Sequence, residues 1–212
     1  NRAIPAVDLE VSLNTLQAQR VMNRSVVPLR RALYNLSVII PVIAKNDEKA
    51  SELSMQISNQ MAELGESVGS FEAQLKAFAE EHLSETQLKM RVSYSTPQTF
   101  NVNITSPYLL DFIDFVTRTD KLIKLIDLIW FNRVITDVEA KNRRFDVQRF
   151  LIKSANRIIQ FANKAADAAR QSNVKIDESA SESVAEISLE DDANVSDLAN
   201  ENRKVQKEDA VA

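Results

Sequence analysis

QTFNVNITSPYLL, residues 98–110, changes its period halfway along. Phe100, Val102 and Ile104 alternate with Thr99, Asn101 and Asn103, so an extended strand here has one apolar face and one small-polar face. Ser106-Pro107 follows at once. Ser is a favoured N-cap and Pro a favoured first helical residue, so a helix is expected to start there. A strand with Thr, Asn and Asn outward, feeding a capped helix, has what a ribbon needs to read base edges in a DNA major groove. Asn suits that work because its amide donates and accepts together at adenine. The plainer reading is an edge strand with an ordinary solvated face.

Working outward, residues 89–95, KMRVSYS, also alternate: Met90, Val92 and Tyr94 against Lys89, Arg91 and Ser93. Thr96-Pro97 supplies a turn, so 89–95 and 99–104 are a candidate hairpin. The other pairing that fits joins 99–104 to its copy in a second chain. Near the start, AVDLEVSL at 6–13 alternates with an acidic outward face, a strand pattern poorly suited to touching phosphate. Helical spacing fills most of the rest. Pro28 and Pro41 are expected to divide or kink the material from 15 to 45. A helix capped at Asn46 or Asp47 is expected through about Leu64, with Gly65 and Gly69 interrupting or ending it. Residues 107–131 read as one long apolar helix, with Thr117 to Asp120 as a possible break and second capping signal. Thr136-Asp137-Val138-Glu139 is a capping box that opens a last helix reaching about Arg170.

Composition narrows the classes. Two glycines in 212 residues leave no Gly-rich phosphate loop, and the absence of cysteine excludes disulfides and thiolate metal sites. No apolar run reaches the length of a membrane span, and no signal-peptide pattern opens the chain, so a cytoplasmic location without membrane contact is expected. The net charge of −4 is unevenly spread: residues 105–170 hold 12 Lys/Arg against 8 Asp/Glu, whereas 171–212 hold 4 against 11. Local field steers association more than total charge does. After Gln171 the composition turns to Ser, Glu, Asp, Ala and Asn, which bury too little to offset ordering; 172–212 is expected to be an acidic disordered tail.

An enzyme is not expected. His82 is the single histidine and sits in a polar helix end, so the neighbouring Glu80, Glu81 and Glu85 make a poor metal set. No nucleotide fingerprint or nucleophile elbow is present, and no cofactor or small-molecule substrate is implied. Lys141, Arg143, Arg144, Arg149, Lys153 and Arg157 lie on the last helix. An ordinary polar face accounts for them; the functional alternative is a phosphate clamp centred on Arg143 and Arg144, giving salt-dependent, sequence-blind affinity.

Several stretches resemble the AcaB-like transcriptional regulators of conjugative plasmids and integrating conjugative elements. They are LNTLQAQRVM at 13–22, AKNDEKASELSM at 44–55, FNVNITSPYLLDFIDFVTRTDKLIKLIDLIWFNRVIT at 100–136 and RRFDVQRFLIKSANRIIQF at 143–161. The resemblance implies a DNA-binding protein of ribbon-helix-helix type, an activator of conjugative transfer genes, in which two chains give one strand each to an antiparallel ribbon. It makes Thr99, Asn101 and Asn103 the base-reading face and the Ser106 region a phosphate anchor at a helix N-terminus. Strand readers usually carry a Lys or Arg and this strand has none; Lys89 or Arg91 supplies it if 89–95 joins the ribbon.

The expected fold is therefore mainly α with a small β element: a ribbon-helix-helix-like unit embedded in a larger helical domain. Its divisions are an N-terminal helical region at 1–97, a strand-helix-helix DNA-binding and dimerisation region at 98–171, and the tail at 172–212. The expected function is sequence-specific binding of double-stranded DNA by a homodimer. The alternatives are a helical protein–protein adaptor and a conjugation accessory protein without DNA contact.

Overall fold

The strand at 98–104 forms, and its partner comes from the same chain. In the computed structural model, which describes residues 6–36 and 47–171, the order is β1 (Val7–Leu13), α1 (Leu16–Tyr34), α2 (Asp47–His82), α3 (Glu85–Leu88), β2 (Gln98–Ile104), α4 (Pro107–Phe131) and α5 (Asp137–Gln171). Pro41, a cap at Asn46 and the tail at 172–212 lie outside the described residues. β1 and β2 form a two-stranded antiparallel sheet in which Val7 faces Ile104, Leu9 faces Val102 and Val11 faces Phe100. Both strands alternate with period two, so this register puts one shared apolar side on the helices. Val11, Leu13, Val102 and Ile104 are buried there.

Residues 89–95 do not form the candidate hairpin strand. A capping box at Ser84 and Gln87 winds 85–88 into a helical turn, and Lys89 ends it in the αR region. Alternation in KMRVSYS comes instead from a chain that turns Val92 and Tyr94 toward the helices, Tyr94 donating its hydroxyl proton to Asp127. Gln19, buried on α1, ties the end of the sheet: its Nε2 donates to the Thr96 carbonyl at 2.9 Å and to the Leu13 carbonyl at 3.1 Å.

α4 is the central element. An all-round apolar helix has to be buried on several sides, and α4 contributes to both core clusters. Its first half, Leu109 to Val116, packs with β1, β2, α1, the middle of α2 and Leu151, Ala155 and Ile158 of α5. Its second half, Leu122 to Ile129, packs with Leu75, Ala79 and Leu83 of α2 and Ala140 of α5. The division drawn at 97/98 thus separates β1 from its partner strand, and α1 and α2 from the helix they pack on.

Two expected interruptions, at Pro28 and at Gly65 and Gly69, do not end their helices. Pro28 lies within α1, between the buried residues Val26, Leu29, Ala32 and Leu33. Gly65 and Gly69 lie within α2. Gly65 is there for proximity: a Cβ on it would meet the Phe115 ring at 3.2 Å, so the missing side chain lets α2 approach α4. Near Gly69, Arg118 of α4 grips Glu72 of α2 through Nε at 3.0 Å and Nη2 at 2.7 Å. That side-chain hydrogen bond draws the Glu72 carboxyl below its ordinary pKa. α4 runs unbroken through Thr117 to Asp120, as the long-helix reading of 107–131 expects. The Asp120 carboxylate caps a different helix: Oδ1 accepts from the backbone N–H of Asn14 at 3.0 Å and of Thr15 at 2.7 Å, at the β1–α1 junction.

The α4–α5 turn is a Schellman motif. Val134 N–H bonds the Ile129 carbonyl at 3.2 Å and Arg133 N–H bonds the Trp130 carbonyl at 2.8 Å. Arg133 occupies the left-handed position with φ of 60°, where a Cβ is unfavourable. Arg133→Gly is therefore expected to raise the unfolding free energy by about 0.5–1 kcal/mol. Urea denaturation measures this, and a lower midpoint would show that the arginine side chain makes a compensating contact. The Thr136–Glu139 capping box forms as expected, with Thr136 N–H donating to Glu139 Oε2 at 2.8 Å and Glu139 N–H to Thr136 Oγ1 at 3.3 Å.

Candidate nucleic-acid interface

Thr99, Asn101 and Asn103 share the solvent face of β2, and all are exposed. The antiparallel register sets Ser12 opposite Thr99, Glu10 opposite Asn101 and Asp8 opposite Asn103. The ribbon face is therefore six residues wide in composition: two hydroxyls, two amides and two carboxylates. β1's acidic side was legible as unsuited to phosphate; its placement beside the Asn row was not.

Asp8 does more than add charge. Asn103 Nδ2 donates to Asp8 Oδ1 at 2.8 Å. An ionised carboxylate only accepts, so the bond fixes which end of the amide faces Asp8. One Nδ2 hydrogen and the Oδ1 acceptor of Asn103 remain, and an Asn amide uses one donor and one acceptor at adenine in the major groove. The price is electrostatic. Two carboxylates on one face repel phosphate by about 1 kcal/mol each at contact distance in water, less with salt.

The other sequence-predicted residues fall elsewhere. Lys89 is exposed and pairs with Glu85 at 3.7 Å. Arg91 is exposed on the connection that was expected to be a strand, so it is not delivered to the sheet as a ladder residue. Ser106 is the N-cap of α4 but is buried, makes no capping bond through its side chain, and its hydroxyl has no hydrogen-bond partner. Pro107 at the first helical position removes one further donor. A phosphate at this helix start would have backbone N–H groups to meet and no Ser106 hydroxyl at the surface.

Arg143 and Arg144 belong to a different part of the core. Arg143 lies over the Phe78 ring at 5.1 Å. Arg144 donates to the buried Asp127 carboxylate and lies over Trp130 at 5.9 Å. A guanidinium already neutralised by a carboxylate and two-thirds or more buried is a poor phosphate clamp; the Arg144 side chain is 23% exposed. Arg143 thus packs α5 on α2, and Arg144 packs α5 on α4.

One basic surface escaped the sequence reading. α1 carries Arg20, Arg24, Arg30 and Arg31 and no Asp or Glu in 19 residues. Arg20 and Arg24 are one helical turn apart, and Arg24 is exposed. The signal is a charge pattern confined to one element, four arginines without a carboxylate between Leu16 and Tyr34. Among the described residues no group of three His, Cys, Asp or Glu side chains converges on a metal position, and no helix is long and apolar enough to cross a membrane.

No protein-family model matches the chain, and no curated protein is similar to it. A solved structure is. The crystal structure of selenomethionine-containing AcaB from uropathogenic E. coli superposes with a TM-score of 0.74 and 26% sequence identity, over 80% of this chain and 86% of that one. The chain therefore has an AcaB-like fold, mainly helical with a small antiparallel sheet.

Proposed function

We propose that the chain is a transcriptional regulator that binds duplex DNA sequence-specifically as a homodimer, without enzymatic activity, and that its β ribbon reads base edges. The observation that carries this reading is the exposed amide row of β2, with the Asn103 amide held by Asp8. Similarity to AcaB and the resemblance to regulators of conjugative transfer support it. In the dimer, the edge of β2 that does not bear β1 meets its copy. The sheet then has four strands, with two Asn rows in the middle and the Asp8–Glu10 rows outside. A two-fold reader calls for a pseudo-palindromic site. Carboxylates inside a groove are not wasted, since they accept from cytosine N4. Backbone affinity comes from Arg20 and Arg24 on α1 and from Arg91.

A second reading has its own observation. Asp8 and Glu10 on the exposed face favour a protein partner over phosphate, which is the adaptor alternative. Footprinting on DNA flanking the gene, followed by anisotropy on the protected duplex and a scrambled one at two salt concentrations, separates them. Asn101→Ala with Asn103→Ala is expected to erase at least about tenfold of site preference while leaving helicity unchanged. A parent protein without site preference, or a double variant that keeps it, sinks the regulator reading.

A further inference from the structure

The outer edge of β1 borders an open groove of about 300 Å³, lined by Leu9 to Ser12 of the strand and by Leu110, Ile113, Asp114 and Thr117 of α4. The four α4 residues follow helical spacing, so one stripe of that helix floors the groove. Among the described residues the sheet has two strands, which leaves the β1 backbone on this side without a ladder partner. An unpaired edge of seven residues is a template for one more strand.

We infer that this edge accepts an extended segment of a protein partner in which basic residues alternate with aliphatic ones. A strand added here would send alternate side chains to opposite faces. Those beside Leu9 and Val11 enter the groove over Leu110 and Ile113; Leu110 is 48% exposed and Val7, at the strand end, 64% exposed. The groove has room on the order of ten water molecules, which suits small aliphatic side chains. Those on the other face lie beside Asp8 and Glu10, where opposite charges directly across a ladder are favourable and like charges are not. Asp114 adds a third carboxylate at the floor.

Charge disfavours the two occupants nearest to hand. A second copy paired two-fold about Glu10 sets that carboxylate against its own image. The chain's own 171–212 segment holds 11 acidic residues against 4 basic ones and has the wrong sign. A basic, alternating strand satisfies backbone, groove and charge together, in the manner of strand addition to a sheet edge. The site adjoins the Asn row through the Asn103–Asp8 hydrogen bond, and its test does not require DNA binding.

The test uses the full chain and a labelled seven-residue peptide alternating Lys and Val, with two controls. One control replaces Lys with Glu; the other keeps the side chains but methylates alternate backbone nitrogens. The Lys peptide is expected to bind at least about tenfold more tightly than either control at low salt. Asp8→Lys with Glu10→Lys is expected to reverse the preference between Lys and Glu peptides. Equal binding of the methylated peptide reduces the effect to charge attraction and overturns strand addition, a result that needs no protein variant. No binding of the Lys peptide overturns it as well. So does self-association of Asp8→Asn with Glu10→Gln in sedimentation without peptide binding, which would make the carboxylates guards against pairing between copies.

Discussion

Asp120→Ala is expected to lower the unfolding free energy by about 3 kcal/mol, and to lower the melting temperature by roughly 6–12 °C for a unit of this size. Asp120 is 3% exposed on the central helix. Its two oxygens accept from the Asn14 and Thr15 backbone N–H groups, from Asn14 Nδ2 at 3.3 Å and from Lys124 Nζ at 3.0 Å. Those N–H groups sit where the chain leaves β1 and enters α1, so no ladder or helix supplies another acceptor. Removing the carboxylate strands them and leaves Lys124, partly buried, without its partner. Burial pushes the Asp120 carboxyl up, but the Thr15 backbone hydrogen bond, then Lys124 and the Thr15 side chain, more than offset it, and the net pKa lies below the ordinary value of 3.8. The stability this provides is full above the unfolded carboxyl's pKa and disappears as pH falls through the folded one. Urea midpoints between pH 7 and pH 2 measure both effects. The variant should be weaker at pH 7 and should approach the parent below about pH 4. A parallel offset at every pH would mean that the loss is packing and not the ionised carboxylate.

Asp120 also marks the limit of what was legible in the chain. Its position in a Thr–Arg–Thr–Asp run gives the local signature of a helix start. Its partner is over a hundred residues away, and nothing local in sequence encodes that. The elements whose rules are local came through: the alternation of 98–104, the Ser106-Pro107 start, the Thr136–Glu139 box and the unbroken 107–131 helix. Failures came where tertiary contact overrides propensity. Gly65 looks like a breaker until Phe115 is seen against it. The stretch 89–95 alternates like a strand, yet Val92 and Tyr94 face helices, Met90 is exposed, and its backbone pairs with nothing as a ladder.

The candidate site divides the same way. Exposure of Thr99, Asn101 and Asn103 follows from periodicity, because burying Phe100, Val102 and Ile104 forces it. Strand pairing is non-local, and so the acidic row of β1 could not be placed beside them. That row changes the chemistry of the face more than any single residue of β2 does. Arg144 is the converse case. On a helical wheel it is one of several basic residues, and only packing shows that its charge answers Asp127.

Asp127→Ala is expected to cost about 2–3 kcal/mol, less than a fully enclosed ion pair because the Arg144 side chain keeps some solvent contact. Asp127 Oδ1 accepts from Arg144 and Oδ2 from the Tyr94 hydroxyl, so one carboxylate joins α4, α5 and the segment that enters β2. Asp127→Ala with Arg144→Met removes the stranded cation along with its partner. The pair should lose about 1–2 kcal/mol less than the two single losses added together. Additive losses would show that Asp127 and Arg144 do not act as a unit. Alkali gives an independent check. Burial first, and then the Asp127 hydrogen bond and charge, push the Tyr94 phenol far above its ordinary value of 10.0. A raised folded pKa means stability that is intact below about pH 10 and falls as pH rises beyond it. Tyr94→Phe should therefore show a shallower decline above pH 10 than the parent. Since β2 keeps its register with β1 and Gln19 still holds Thr96, the Asn row should survive Asp127→Ala at temperatures below its melting transition. If site preference on DNA vanished with the fold intact, the reading surface would extend to the Tyr94 segment and the ribbon would not be sufficient.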